Sequence, residues 1–245
     1  MKITSALVLL LFSGLADAAE IHVWTARAIA TVLAEIGTQF ERTTGHTLDV
    51  SVGLPSDFDK HFDADDPLDL LISVSSPVDV WIKEGKLVAA TRTEISRSGI
   101  GVGVRAGAPR PDIRSVGAFK GALLDAKSIA YLRVGSGIYV EGLLERLGIA
   151  DAIASKVTRP EADIVSELVA KGEVELGMVV ITQILTTPGV ELVGPLPPEI
   201  QSYVTFVAGV GVNSKAPDAA TQLIEFLTGP VAIPVIRAQG MEPLR

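Results

Sequence analysis

Arginine and small hydroxyl residues are the side chains here whose types and spacing could do chemistry. Arg27 follows the apolar stretch 21–24 and opens an amphipathic segment, so it stands at a strand-to-helix junction. That is the edge at which open α/β sheets bind ligands. A guanidinium there can hold a carboxylate with two parallel hydrogen bonds; the alternative is an Arg turned to solvent. Arg133 follows the apolar stretch 128–132 and could approach the same ligand from the opposite side, although a lone surface Arg is the ordinary case. Gly135-Ser136-Gly137 precedes a helical pattern. The two glycines would let a ligand approach the backbone, while Ser136 equally suits plain N-capping. Tyr139, one turn on, faces either a cleft or the core.

Proton-transfer candidates are weaker. His22 alternates with Ile21 and Val23 and reads as a sheet residue, and His61 beside Lys60 reads as part of a solvated helix face. With Tyr139 and Glu141 they make four candidates for a general acid or base, and no spacing singles one out. The acidic run 63–69 matches neither a calcium loop nor a fixed carboxylate pair and reads as a solvated turn. The absence of Cys excludes thiol nucleophiles, disulfides and Cys-ligated metals, and three scattered His leave little for a metal site. No metal and no cofactor are expected. With 21 basic against 29 acidic residues and a formal charge of −8, nucleic acid is excluded as a partner.

These residues need elements to position them. Lys2, the apolar run 6–12 and Ala16-Asp17-Ala18 form a signal-peptide pattern with cleavage after Ala18. The run is far short of the roughly 20 residues that span a membrane, so a soluble, monomeric periplasmic protein without a membrane span is expected. From there, strands at 21–24, 48–52 and 69–74 alternate with helical patterns in a βαβαβα order, which implies a mainly parallel sheet. A glycine-spaced strand at 99–105 opens a second set: strands at 128–132 and 176–181, and helices at 137–147 and 163–171. The stretch 188–198 reads as a Pro/Gly-rich connection, and 203–212 as a strand long enough to pass between two lobes. Two further helical patterns close the chain. The order implies two α/β lobes, 19–99 with 206–245 and 100–205, with a ligand cleft between them.

The segments IHVWTARAIATVLAEIGTQFERTTGH, DPLDLLISVSSPVDVWIKEGKLV, SGIYVEGLLERLGIAD and LIEFLTGPVAIPVIRAQGMEP resemble, in order, type II periplasmic solute-binding proteins of the molybdate-binding family. GIGVGVRAGAPRPDI and GMEP are similar to a subgroup that also includes a periplasmic aconitate isomerase. The resemblance implies a two-lobed fold and an oxyanion held by hydroxyls and helix-start N–H groups. It implies ligand contacts at Ala28, Ser56, Gly135-Ser136-Gly137 and about Ile164. Ala28 stands where molybdate binders carry Ser, and Val180 falls near the place of a Tyr. A tetrahedral oxyanion thus loses at least two hydroxyls, which makes an organic carboxylate the expected ligand.

Two functions follow. The first is a periplasmic binding protein that delivers a small anionic ligand to an inner-membrane transporter permease. The second is an isomerase of a tricarboxylate such as aconitate on the same scaffold. Binding is preferred, because proton shuttling needs a placed acid and base and no motif supplies them.

Overall fold

The computed structural model describes residues 18–161 and 164–244, so all but the last residue of the signal-peptide pattern lies outside the described residues. Strand β1 (Glu20–Ala26) runs into helix α1 (Arg27–Thr44) without a loop. Ile29, Val32, Leu33, Ile36 and Phe40 recur at helical spacing on α1 and are all buried. Gly45, at φ +82°, ends the helix in the left-handed conformation that glycine adopts without strain. Next come β2 (Thr47–Gly53), α2 (Pro55–Asp63), β3 (Leu70–Val74) and α3 (Ser75–Lys83), and β1 pairs in parallel with both β2 and β3. Like β1, β3 passes directly into its helix.

The long strand β4 (Thr93–Arg105) leaves this unit. It is followed by α4 (Val116–Asp125), β5 (Ile129–Tyr131), α5 (Ser136–Arg146), α6 (Ala150–Ile153) and β6 (Val157–Thr158). Then come α7 (Val165–Lys171), β7 (Leu176–Val180), α8 (Ile181–Thr186) and β8 (Val190–Pro195). Strand β9 (Tyr203–Val210) leads back, and α9 (Pro217–Thr228), α10 (Ala232–Ala238) and β10 (Glu242–Pro243) finish the fold.

Two lobes result. In the first, α1, α9 and α10 cover one face of the β1–β3–β9 sheet through Phe40, Leu223 and Ile236, while Trp24, Phe58 and Trp81 fill the other face. In the second, Phe119, Leu143 and Met178 lie in one cluster and Val165, Val169 and Val179 in another. Their sheets are not separate. β4 pairs through Thr93–Gly99 with β9 and through Ile100–Arg105 with β7 and β8, so one hydrogen-bonded path crosses both lobes.

Three local expectations change. β4 starts at Thr93, because the polar Ser96 and Ser98 are fully buried in the sheet and mask the strand in the sequence. The Pro/Gly-rich stretch 188–198 contains β8, which pairs antiparallel with β4. Helix α4 escapes sequence reading because two glycines and few polar residues blur its apolar stripe.

The acidic run also divides. Asp63, Asp65 and Asp66 are exposed, but Asp69 is buried. Asp69 accepts from the His22 N–H at 2.9 Å, the Ser214 hydroxyl at 2.6 Å and the N–H groups of Lys215 and Ala216 at 2.7 and 3.0 Å. It ties β1 to the segment entering α9. Burial pushes its carboxyl up, and the Ser214 hydroxyl and three backbone N–H groups outweigh that and hold it below the ordinary value. Since the folded value is the lower one, the stabilisation is complete at neutral pH and fades as pH falls below about 4. Asp69→Asn should lose about 2 kcal/mol at pH 7, because its amide turns an N–H toward a donor. Denaturant titrations at pH 7 and pH 3 should show that deficit shrinking in acid; an equal deficit at both would contradict the account.

Candidate ligand-binding site

A cavity of about 800 Å³ opens between the lobes. The direct junctions of β1 with α1 and β3 with α3 bring two helix starts to it from the first lobe. α2 adds a third, entered through Gly53, Leu54 and Pro55; Pro at the first helical position forfeits only an N–H that has no partner there. From the second lobe comes α5.

The α5 start is built by a tight turn. Gly135, at φ 57° and ψ −124°, occupies the first central position of a type II′ turn closed by the Gly137 N–H on the Val134 carbonyl at 3.1 Å. Only glycine takes that conformation freely. Gly137 has a different reason: a Cβ there would lie 1.6 Å from the Leu132 carbonyl oxygen. Among the described residues no side chain caps α1, α3 or α5, and their positive dipole ends point at the cavity, although at α5 the Gly137 and Ile138 N–H groups are taken by the Val134 and Gly135 carbonyls.

Arg27 is the first residue of α1. It is exposed, lines the cavity and makes no ion pair among the described residues. Ala28, Ser56, Ser136 and Tyr139 line the same space, as does Gly135. The Tyr139 hydroxyl is already committed, donating to the Ile200 carbonyl at 2.9 Å. Val180 lines the cavity beside Ala28 with no hydroxyl to offer. Behind them Thr182 Oγ1 donates to the Ala28 carbonyl at 3.1 Å, tying α8 to the start of α1.

Other predicted residues lie elsewhere. Arg133 is exposed outside the cavity, with Nε 3.6 Å from Glu161, whose side chain stands at the rim. The Gly137 N–H is spent on the turn, and Ile164 sits 40% exposed at the start of α7, away from the cavity lining. His22 bonds Asp49 at 3.0 Å near the opposite end of β1, and His61 bonds Asp66 at 2.6 Å with its ring against Trp24. Glu141 pairs with Arg159 near Tyr131, whose hydroxyl burial pushes up. None of those three acid–base candidates lines the cavity.

Sequence reasoning missed Ser73, Ser75, Ser76, Ser202 and Tyr203, all of which line it. Only the Ser-Ser-Pro at the α3 start carried a signal, as small hydroxyl residues followed by a proline mark a helix N-terminus. A second pocket of about 420 Å³ lies under α4, but no helix start converges on it. Its Arg110 and Asp112 are engaged by Glu191 and Arg114. Among the described residues, no group of three His, Asp or Glu is placed to hold a metal ion.

Helix starts without side-chain caps, gathered around one cavity, make a ready-made site for an anion. A match to the family described as bacterial extracellular solute-binding protein spans residues 21–242. The chain belongs to that family. This solute-binding protein is 28% identical over 222 residues to the aconitate isomerase of a Pseudomonas species, covering 88% of this chain and 85% of the relative. It is 27% identical over 252 residues to the molybdate-binding protein ModA of Azotobacter vinelandii, covering 96% of each. Its fold matches the solved periplasmic molybdate-binding protein of Azotobacter vinelandii with a TM-score of 0.74 at 19% identity, over 90% of this chain and 98% of that one. The solute-binding protein therefore has the two-lobed α/β fold of periplasmic binding proteins.

Proposed function

We propose that the protein is a periplasmic solute-binding protein for a small organic carboxylate, which it delivers to an inner-membrane transporter permease. The lobes that close on the ligand are 19–99 with 206–245 and 100–205, and export follows cleavage near Ala18. One observation carries the choice of ligand: Arg27, without an ion-pair partner among the described residues, lines the cavity beside the uncapped start of α1. A planar two-donor fork suits a carboxylate. The cavity is also far roomier than a four-oxygen ion needs, and Ala28 and Val180 offer such an ion no hydroxyl.

The 28% identical aconitate isomerase supports a second reading, in which a tricarboxylate is isomerised rather than carried. The proton-transfer groups then within reach of a bound acid are Glu161, Tyr203 and Tyr139, which all line the cavity, with the Tyr139 hydroxyl held by the Ile200 carbonyl.

Calorimetry of the purified protein with molybdate, tungstate, succinate, citrate and trans-aconitate tests the first reading. Molybdate should bind about 10- to 100-fold more weakly than the best carboxylate, as two lost hydrogen bonds predict. Submicromolar molybdate affinity would overturn the ligand class. Following aconitate absorbance separates the two readings, since steady turnover establishes the second.

A further inference from the structure

The start of α3 differs from the other helix starts at the cavity. Ser73, Ser75 and Ser76 line the cavity there within four residues. Ser73 is the last but one residue of β3 and is 0% exposed, and its Oγ makes no hydrogen bond among the described residues. Leaving a buried hydroxyl unpaired is costly, and such a group calls for an explanation. A ligand oxygen is one that its place supplies, since the residue sits at the cavity wall. Beside it, Ser75 and Ser76 open a nine-residue helix whose N-cap, Val74, has no side chain able to cap. Among the described residues no side chain caps these first-turn N–H groups, whereas Pro77 brings no N–H at all.

These donors are neutral, unlike Arg27, and they lie on a neighbouring strand. β1 and β3 are adjacent, with Thr25 opposite Ile72, and adjacent strands lie about 4.8 Å apart. α1 packs on one face of that sheet and α3 on the other. Two anion-binding helix starts thus flank the same sheet edge a short carbon chain apart.

We infer that the α3 start is a second anion subsite, made of the Ser73 hydroxyl and the Ser75 and Ser76 donors, so that the ligand carries at least two carboxylates. One engages Arg27 at the α1 start and the other the serine cluster. The inference rests on the carboxylate reading above, and it adds the requirement for a second charge at a stated place.

The test is a titration of wild type, Ser73→Ala and Arg27→Ala with matched acids: butyrate against succinate, and succinate against tricarballylate. Wild type should prefer succinate over butyrate by about tenfold or more, as one hydrogen-bonded anion predicts. Ser73→Ala should bind succinate about tenfold more weakly and leave butyrate unchanged. Its melting temperature without ligand should equal or exceed that of wild type, because an unpaired buried hydroxyl has been removed; a purely structural serine would lower it. Wild-type affinity for succinate in Ser73→Ala, with Arg27→Ala still weakened, would overturn the second subsite alone. Unchanged binding in Arg27→Ala with loss in Ser73→Ala would overturn the Arg27 reading and keep the serine subsite. Failure of every acid to bind wild type would overturn both.

Discussion

Arg27→Ala should weaken the binding of organic di- and tricarboxylates by roughly 10- to 150-fold. A hydrogen-bonded charged group contributes about 1.5–3 kcal/mol, and 1.4 kcal/mol is a factor of ten in affinity. The side chain is exposed, so its truncation should leave the fold and the melting temperature intact. Arg27→Lys should recover only part of the loss, since an ammonium cannot present two coplanar donors. If the protein turns its ligand over, the same change should lower kcat as well, by letting the reacting carbon shift from its proper place. Titration calorimetry of the three proteins against trans-aconitate decides the matter. Unchanged affinity in Arg27→Ala would remove the guanidinium from the binding site.

Gly137→Ala should be the most destabilising single change at the site, by about 4 kcal/mol or more. The added methyl would meet the Leu132 carbonyl oxygen, its carbon and its Cα at 1.6, 2.4 and 2.9 Å, and these are backbone atoms that cannot rotate aside. The helix start must move, and the turn closed by the Gly137 N–H would open with it. Ligand affinity and stability should therefore fall together. Gly142, farther along the same helix, meets nothing closer than the end of Arg146 at 3.5 Å, so Gly142→Ala should be neutral or slightly stabilising. Thermal melts of both variants give the comparison; a stable Gly137→Ala protein would show that α5 can start elsewhere.

Much of the first lobe was legible in the chain, because its elements are local. The buried face of α1 is written at helical spacing, and β1 and β3 are mostly apolar, broken only by single polar residues such as His22 and Ser73. Arg27 was legible for the same reason: a junction without a loop puts the first helical residue at the sheet edge whatever the rest of the fold does. Local pattern also separated Gly135 and Gly137 from the helix that follows them, though not their two distinct tasks. One answers a turn's dihedral angles, and the other a carbonyl five residues back.

What depended on distant partners was hidden. Ser96 and Ser98 read as polar until β9 and β10 flank that end of β4, and β8 exists because β4 offers an unpaired edge. Asp69 looked like one more solvated acid in an acidic run, and only the return of residues 214–216, some 145 positions later, surrounds it with donors. Arg133 and Ser136 are three residues apart, yet only Ser136 lines the cavity; Arg133 lies near Glu161 instead. The Ser73 hydroxyl is the clearest case. A serine's type tells nothing of its burial, and whether its hydroxyl finds a partner is settled only when β1, β9 and α3 close around it. Periodicity and junctions act over a few residues and belong to the sequence, whereas burial and hydrogen-bond satisfaction are properties of the whole packed chain.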